Sequence, residues 1–236
     1  MSETIRVGNT DVGPTTDFEG LLRRQFSGGT PFSGRYDETP DQGALSLFAA
    51  LKDTDLASRA ADAVTRLLKD DNLDVRAGAV AVVEDFPKYF DARRLLGLLN
   101  DHSKLYEGIG ANHFGRKQPD LAWALMRGMA ASRTTDPAVR DRLRQAAQDP
   151  VNGSWVLAGV TTNDADWVIT HPAESVQGDA SRAWIVLLNL GDHDRERFVR
   201  MVPKESPELR DAIRRGVERA VRNETARNRL ISQMGN

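Results

Sequence analysis

Apolar residues recur along most of this chain at intervals of three and four, the spacing that lines one face of an α-helix. The period begins at Phe18, where Leu21, Leu22 and Phe26 continue a stripe behind Asp17, a residue type suited to cap the first turn. It predicts a short helix that stops at Ser27-Gly28-Gly29. From residue 41 onward the period scarcely lapses, predicting helices over 41–52, 55–69, 73–84, 87–99, 103–113, 118–131, 136–148, 153–159, 163–170, 178–190, 192–201, 206–222 and 224–234. The breaks are short. Asp136-Pro137 and Ser206-Pro207 read as helix starts, because the acid or hydroxyl caps the first turn and proline at the first helical position forfeits no needed hydrogen bond. Short connections imply antiparallel neighbours. Two N-terminal stretches lack the period: residues 1–16, rich in Gly, Thr and Asp and read as a flexible leader, and Ser27 to Gln42, a loop with three Gly and two Pro.

A second, longer period lies over the first. Sliding LLKDDNLDVRAGAVAVVEDF, residues 67–86, by 31 positions lays Leu67, Leu68 and Asp70 over Leu98, Leu99 and Asp101, with Arg76 over Glu107. Val139-Arg140 follows Asp136, Leu209-Arg210 follows Ser206-Pro207, and Arg182 holds a similar place, so the charged positions 76, 107, 140, 182 and 210 are 31, 33, 42 and 28 residues apart. A two-helix unit of this length cannot bury its apolar face alone, so neighbouring units must stack.

The stretches LLKDDNLDVRAGAVAVV, DPAVRDRL and SPELRDAI resemble the HEAT-repeat family, including the HEAT-like repeats of phycobilisome lyases, in which a helix ending in Leu-Leu precedes an Asp-rich turn, a Val-Arg pair and an Ala-rich second helix. The resemblance implies an all-α, right-handed α-solenoid of about five or six antiparallel two-helix repeats. Residues 17–236 are then one domain, in which 17–40 supply an N-terminal cap and loop and 224–236 a C-terminal cap. Glu107 and the 42-residue step depart from the pattern.

Composition narrows the chemistry. The 236 residues contain no cysteine, which removes disulfides, thiol nucleophiles and thiolate zinc sites. A formal charge of -2 provides no global field for phosphates or anionic lipid. No apolar run approaches the roughly 20 residues that span a bilayer, and the N-terminus lacks a secretory signal pattern, so a cytoplasmic location is expected.

Among candidate functional residues, Arg76, Arg140 and Arg210 fall near the starts of second helices. They form either an anion-binding row on a concave face or a ladder in which each guanidinium bonds a turn acid or carbonyl, with Asp71 as cap and partner for Arg76. Seven arginines against Asp211, Glu218 and Glu224 give residues 209–230 a net charge of +4, and Arg215, Arg219 and Arg222 are expected on one helical face. Such a face can grip an acidic partner or nucleic acid, or lie solvated. The irregular segment from Tyr106 to Pro119 offers Tyr106, His113 and Arg116, either as binding residues or within a harmless insertion. The four tryptophans read first as core. The four histidines show no metal-ligand spacing, Asp192-His193-Asp194 reads as a helix cap, and no catalytic motif or cofactor fingerprint emerges. The expectation is a non-enzymatic scaffold, adaptor or inhibitor without cofactor or metal, binding a protein through its concave surface and irregular loops. The alternative is nucleic-acid binding or DNA-base repair through the Arg-rich C-terminal helices, as in HEAT-like glycosylases.

Overall fold

The structure is a computed structural model that describes residues 4–28, 40–102, 120–132, 134–203 and 206–234. Helix accounts for 72% of these residues, so the described part of the chain is all-α apart from one small hairpin. The hairpin lies within the expected leader: β1 (Ile5–Val7) pairs antiparallel with β2 (Thr10–Val12), and Val7 and Val12 are buried. Gly8 takes the left-handed backbone, φ 55°, that the first position of this two-residue turn demands.

The chain divides into two compact units, Met1–Met129 and Ala130–Asn236. In the first, α1 (Phe18–Phe26) packs on α3 (Asp55–Leu67), and α2 (Pro40–Ala50) packs on α4 (Leu73–Asp85). Asp17 caps α1 through the Gly20 amide. Val75 and residues 77–83 of α4 are all buried, which is why this helix is apolar on every side rather than along one stripe. The expected helix over 87–99 is instead a 3-10 turn, Pro87–Tyr89, followed by the short α5 (Ala92–Leu95) and a second 3-10 segment, Leu96–Asn100. Phe86, Tyr89 and Phe90 cluster around the fully buried Phe48, with ring centroids 5.6 to 6.2 Å away. After residue 120 comes α6 (Leu121–Ala131).

The second unit contains α7 (Pro137–Ala147), α8 (Ser154–Asn163), α9 (Ala165–Thr170), α10 (Pro172–Val176), α11 (Ala180–Asn189), α12 (Asp192–Arg200), α13 (Pro207–Ala220) and α14 (Glu224–Gln233). Helices α8, α11 and α13 lie side by side in that order, and so do α9, α12 and α14. Caps set the starts: Asp136 accepts from Ala138 and Val139, Asp179 from Ser181, and Asn223 from Ala226. Helices α11 and α13 pack extensively on each other. A Cβ on Gly216 would stand 2.7 Å from Ala183 Cβ, so glycine is what lets the two backbones meet.

Candidate functional site

Arginine in the first turn of a helix faces the positive end of the dipole and needs an acceptor to compensate. The structure gives each repeat arginine a different solution. Arg140 Nη2 lies 2.6 Å from Asp164 Oδ1, 24 residues on, while Arg144 Nε lies 2.6 Å from Oδ2 of the same carboxylate. Burial alone would raise the Asp164 carboxyl, but the hydrogen bonds from Arg144 and Arg140 outweigh it and hold the group below the ordinary range. The bond to Asp164 in turn raises Arg144 against the opposing effect of burial. Beside this fork is a cleft of about 20 Å³ lined by Ser132, Thr134 and Asn163, enough for about one water.

Arg182 is 3% exposed and donates to three main-chain carbonyls: Ser175 at 3.0 Å, Asp149 at 3.3 Å, and Ala147. Two of these carbonyls belong to the last turns of α7 and α10, so the guanidinium serves acceptors that helix ends leave open. Desolvation lowers its pKa, while Asp179 and Asp149 act the other way. Arg210 donates to the Met234 carbonyl at the end of α14, 3.1 Å away.

Arg76 departs from the expected ladder. Its Nε is buried and has no hydrogen-bond partner, and Asp71 is exposed without an ion pair among the described residues. The cap of α4 is Asn72, which accepts from Asp74 at 2.9 Å and Val75 at 3.4 Å. The buried acid of that turn is Asp70, which accepts from the Asn72 amide at 3.0 Å and lies 2.6 Å from Arg23 on α1. A neutral amide caps as well as a carboxylate, and this leaves Asp71 in water.

The C-terminal arginines turn outward. Arg215 pairs with Asp211 at 2.6 Å, and Arg219 places its guanidinium 4.1 Å from the centroid of the Trp184 ring on α11. Arg222 does not share their helical face. Helix α13 ends at Ala220 and Val221 turns extended to bury its side chain, which carries the exposed Arg222 into the connection. Arg214 and Arg222 make no ion pair among the described residues. Tyr106, His113 and Arg116 lie outside the described residues.

Trp184 is therefore only partly core: half-buried, with its face under Arg219. Trp123 and Trp167 are buried, the latter stacked on His171 with centroids 5.6 Å apart. Asp192 is the first helical residue of α12 behind Gly191, not its cap, and Asp192 and Asp194 pair three positions on with Arg195 and Arg197. Arg197 also reaches Asp166, and these hydrogen bonds, Asp166 first, raise its pKa.

The outward side of α11 is unusual in another way. Ala180, Ser181, Trp184, Ile185, Leu188 and Asn189 occupy its half-buried and exposed positions, and the only charged residue of the helix, Arg182, is buried. Leu188 is 51% exposed, one turn beyond Trp184. Neighbouring α8 contains no charged residue at all. A surface helix ordinarily turns charge toward water. A Trp–Leu strip rimmed by arginine has the side-chain types that dominate protein interfaces.

Sequence spacing did not reveal this strip, because Trp184 and Arg219 sit on helices 35 residues apart in sequence and meet only through packing. It likewise missed a polar hollow of about 370 Å³ in the first unit, lined by Asp17, Phe18, Glu19, Arg59, Asp62 and Arg66. There the charges already engage one another: Arg66 with Glu19 and Asp62 with Arg94, each at 2.7 Å, while Arg59 donates to the Thr16 and Pro14 carbonyls.

No family model, curated protein or solved structure matches the chain.

Proposed function

We propose that this protein is a non-enzymatic, HEAT-like helical-repeat scaffold, an adaptor or inhibitor that binds a protein partner through exposed helix faces. Support for the repeat comes from the Leu-Leu, Asp, Val-Arg pattern and from the side-by-side order of alternate helices in the second unit, α8–α11–α13 and α9–α12–α14. The observation that carries the binding role is the outward side of α11, where Trp184 and Leu188 face solvent without a charge between them and Arg219 covers the indole. The other repeat arginines of this unit, Arg140, Arg182 and Arg210, are committed to internal acceptors, which moves the candidate contact from their row to this face.

Nucleic-acid binding draws on Arg214 and Arg222, which make no ion pair among the described residues. Against it, Arg215 and Arg219 are engaged by Asp211 and Trp184, so the face offers fewer unneutralised charges than its composition suggests.

Affinity capture from the native host with the wild-type chain and a Leu188→Glu variant tests the reading. A protein enriched by the first and not by the second supports it. Enrichment of no macromolecule, or of nucleic acid alone, overturns it.

A further inference from the structure

Resting on that reading, we infer the partner's chemistry: the α11–α13 face takes an acidic amphipathic segment of a protein, its apolar side on Trp184 and Leu188 and its carboxylates toward Arg215 and Arg219. Three features of the face point to this occupant.

The first is the separation of charge from apolar surface. Helix α11 presents Trp184, Ile185 and Leu188 with only Ser181 and Asn189 among them, whereas the adjoining edge of α13 presents arginine. Exposed large apolar side chains are few among the described residues: Val151, Leu188 and Met201, and of these Leu188 adjoins a half-exposed tryptophan on its own helix. Side chains four apart on a helix lie on one face, so Leu188 and Trp184 form a continuous surface, and Arg215 and Arg219 another beside it. An amphipathic helix fits such a surface with one side, reading it through anchors at i, i+3, i+4 and i+7.

The second is the sign of the rim. The exposed ionisable side chains between Asp211 and Arg222 are Asp211, Arg214, Arg215, Glu218, Arg219 and Arg222, two acids against four bases, in a chain whose overall formal charge is -2. The local excess therefore runs against the whole-molecule charge. It repels a basic segment and favours an acidic one, in encounter rate and in register.

The third is the state of Arg219. Its guanidinium carbon lies 4.1 Å from the centroid of the Trp184 ring, a contact that restrains the side chain, and it makes no ion pair among the described residues, so its N–H groups can meet a carboxylate. A side chain already held in place loses less freedom on binding, which favours affinity at this position. A phosphate backbone gains equally from the charge but finds no use for the apolar strip, and Trp184 covered by a guanidinium is not an open stacking platform for bases.

The test uses the full chain and an 18-residue synthetic peptide with leucines at helical i, i+3, i+4 and i+7 spacing and glutamates on the other face. Controls replace the glutamates by lysines, or the leucines by serines, or use a 24-base-pair duplex DNA. Binding is followed by the indole N–H resonances, with Trp184 identified from a Trp184→Phe variant. Expected are saturable shifts of the Trp184 indole by the acidic peptide. Affinity should fall by about tenfold or more in Leu188→Glu and in Arg219→Glu, and the lysine and serine peptides should bind weakly. Both substituted positions face solvent, and the circular dichroism of each variant checks that the fold is kept. No saturable binding, equal binding of the lysine peptide, or binding indifferent to Leu188→Glu overturns the inference. Duplex binding with a steep salt dependence, lost in Arg214→Glu with Arg222→Glu, overturns it in favour of nucleic acid. If the peptide fails while host capture still enriches a protein in a Leu188-dependent way, the scaffold reading stands and only the acidic chemistry falls.

Discussion

Arg182 and Arg76 enter their helices at nearly the same depth, three and four residues after the caps Asp179 and Asn72, yet their surroundings predict opposite mutational outcomes. Removing Arg182 leaves the carbonyls of Ala147 and Ser175 short of a donor, while that of Asp149 keeps the Gly153 amide at 2.9 Å, so Arg182→Met is expected to cost about 3 kcal/mol, read as a shift in urea midpoint. Arg182→Lys should recover little, because one ammonium cannot span three acceptors as a planar fork does. Arg76→Met removes a buried Nε that has no partner, and its stability should stay within about 0.5 kcal/mol of wild type or rise above it. Asp164→Asn breaks the fork between Arg140 and Arg144 and should cost about 2 to 3 kcal/mol at neutral pH. Because the folded-state pKa of Asp164 lies below its unfolded value, the carboxylate's contribution is fully present above about pH 5. It is lost as acid carries the pH down through the folded pKa, so the variant's stability should fall less steeply in that range. From sequence, Arg140 was visible as a charged repeat position, but its partner was not. Asp164 is 24 residues away, and no local spacing ties a carboxylate at one helix junction to a guanidinium at the start of an earlier helix.

Helices were readable where an amphipathic stripe ran into a recognisable cap, as at Asp17 and Asp136-Pro137, and there the observed bounds lie within a few residues of the expected ones. Failures came where packing overrules the local pattern. Alternation in β1 and β2 lasts three residues each, too short to outweigh the polar composition around it; the hairpin is secured by an Arg6–Asp11 ion pair at 2.9 Å and by burial of Val7 and Val12. Val221 ends α13 early by turning inward, which no propensity at Arg222 announces. The α11–α13 contact has its own test. In Gly216→Ala the added methyl meets Ala183 Cβ at 2.7 Å and Ala183 carbonyl carbon at 2.9 Å, so the helices must separate. A loss of about 1 to 3 kcal/mol is expected, with a change in Trp184 fluorescence as Arg219 is displaced from the ring. A gain in stability would show that the two backbones have room to spare.

At the scale of the molecule, the helix content agrees with the apolar period that runs along the sequence, and the all-α class was legible from that period. What sequence left open was the surface, because an interaction face is made by side chains that spacing does not connect. The arginines that look most like a binding row are largely spent inside the fold, and an indole that looks like core lies at its edge. One consequence of the Arg182 arrangement concerns how the fold opens. A single guanidinium holds the end of α7, the turn before α8 and the end of α10 from its own place on α11, so the opening of any one of them loosens an anchor that the others share. Native-state hydrogen exchange should therefore find the slow amides of these segments sharing one opening free energy, and Arg182→Met should split them into separate classes that exchange in succession.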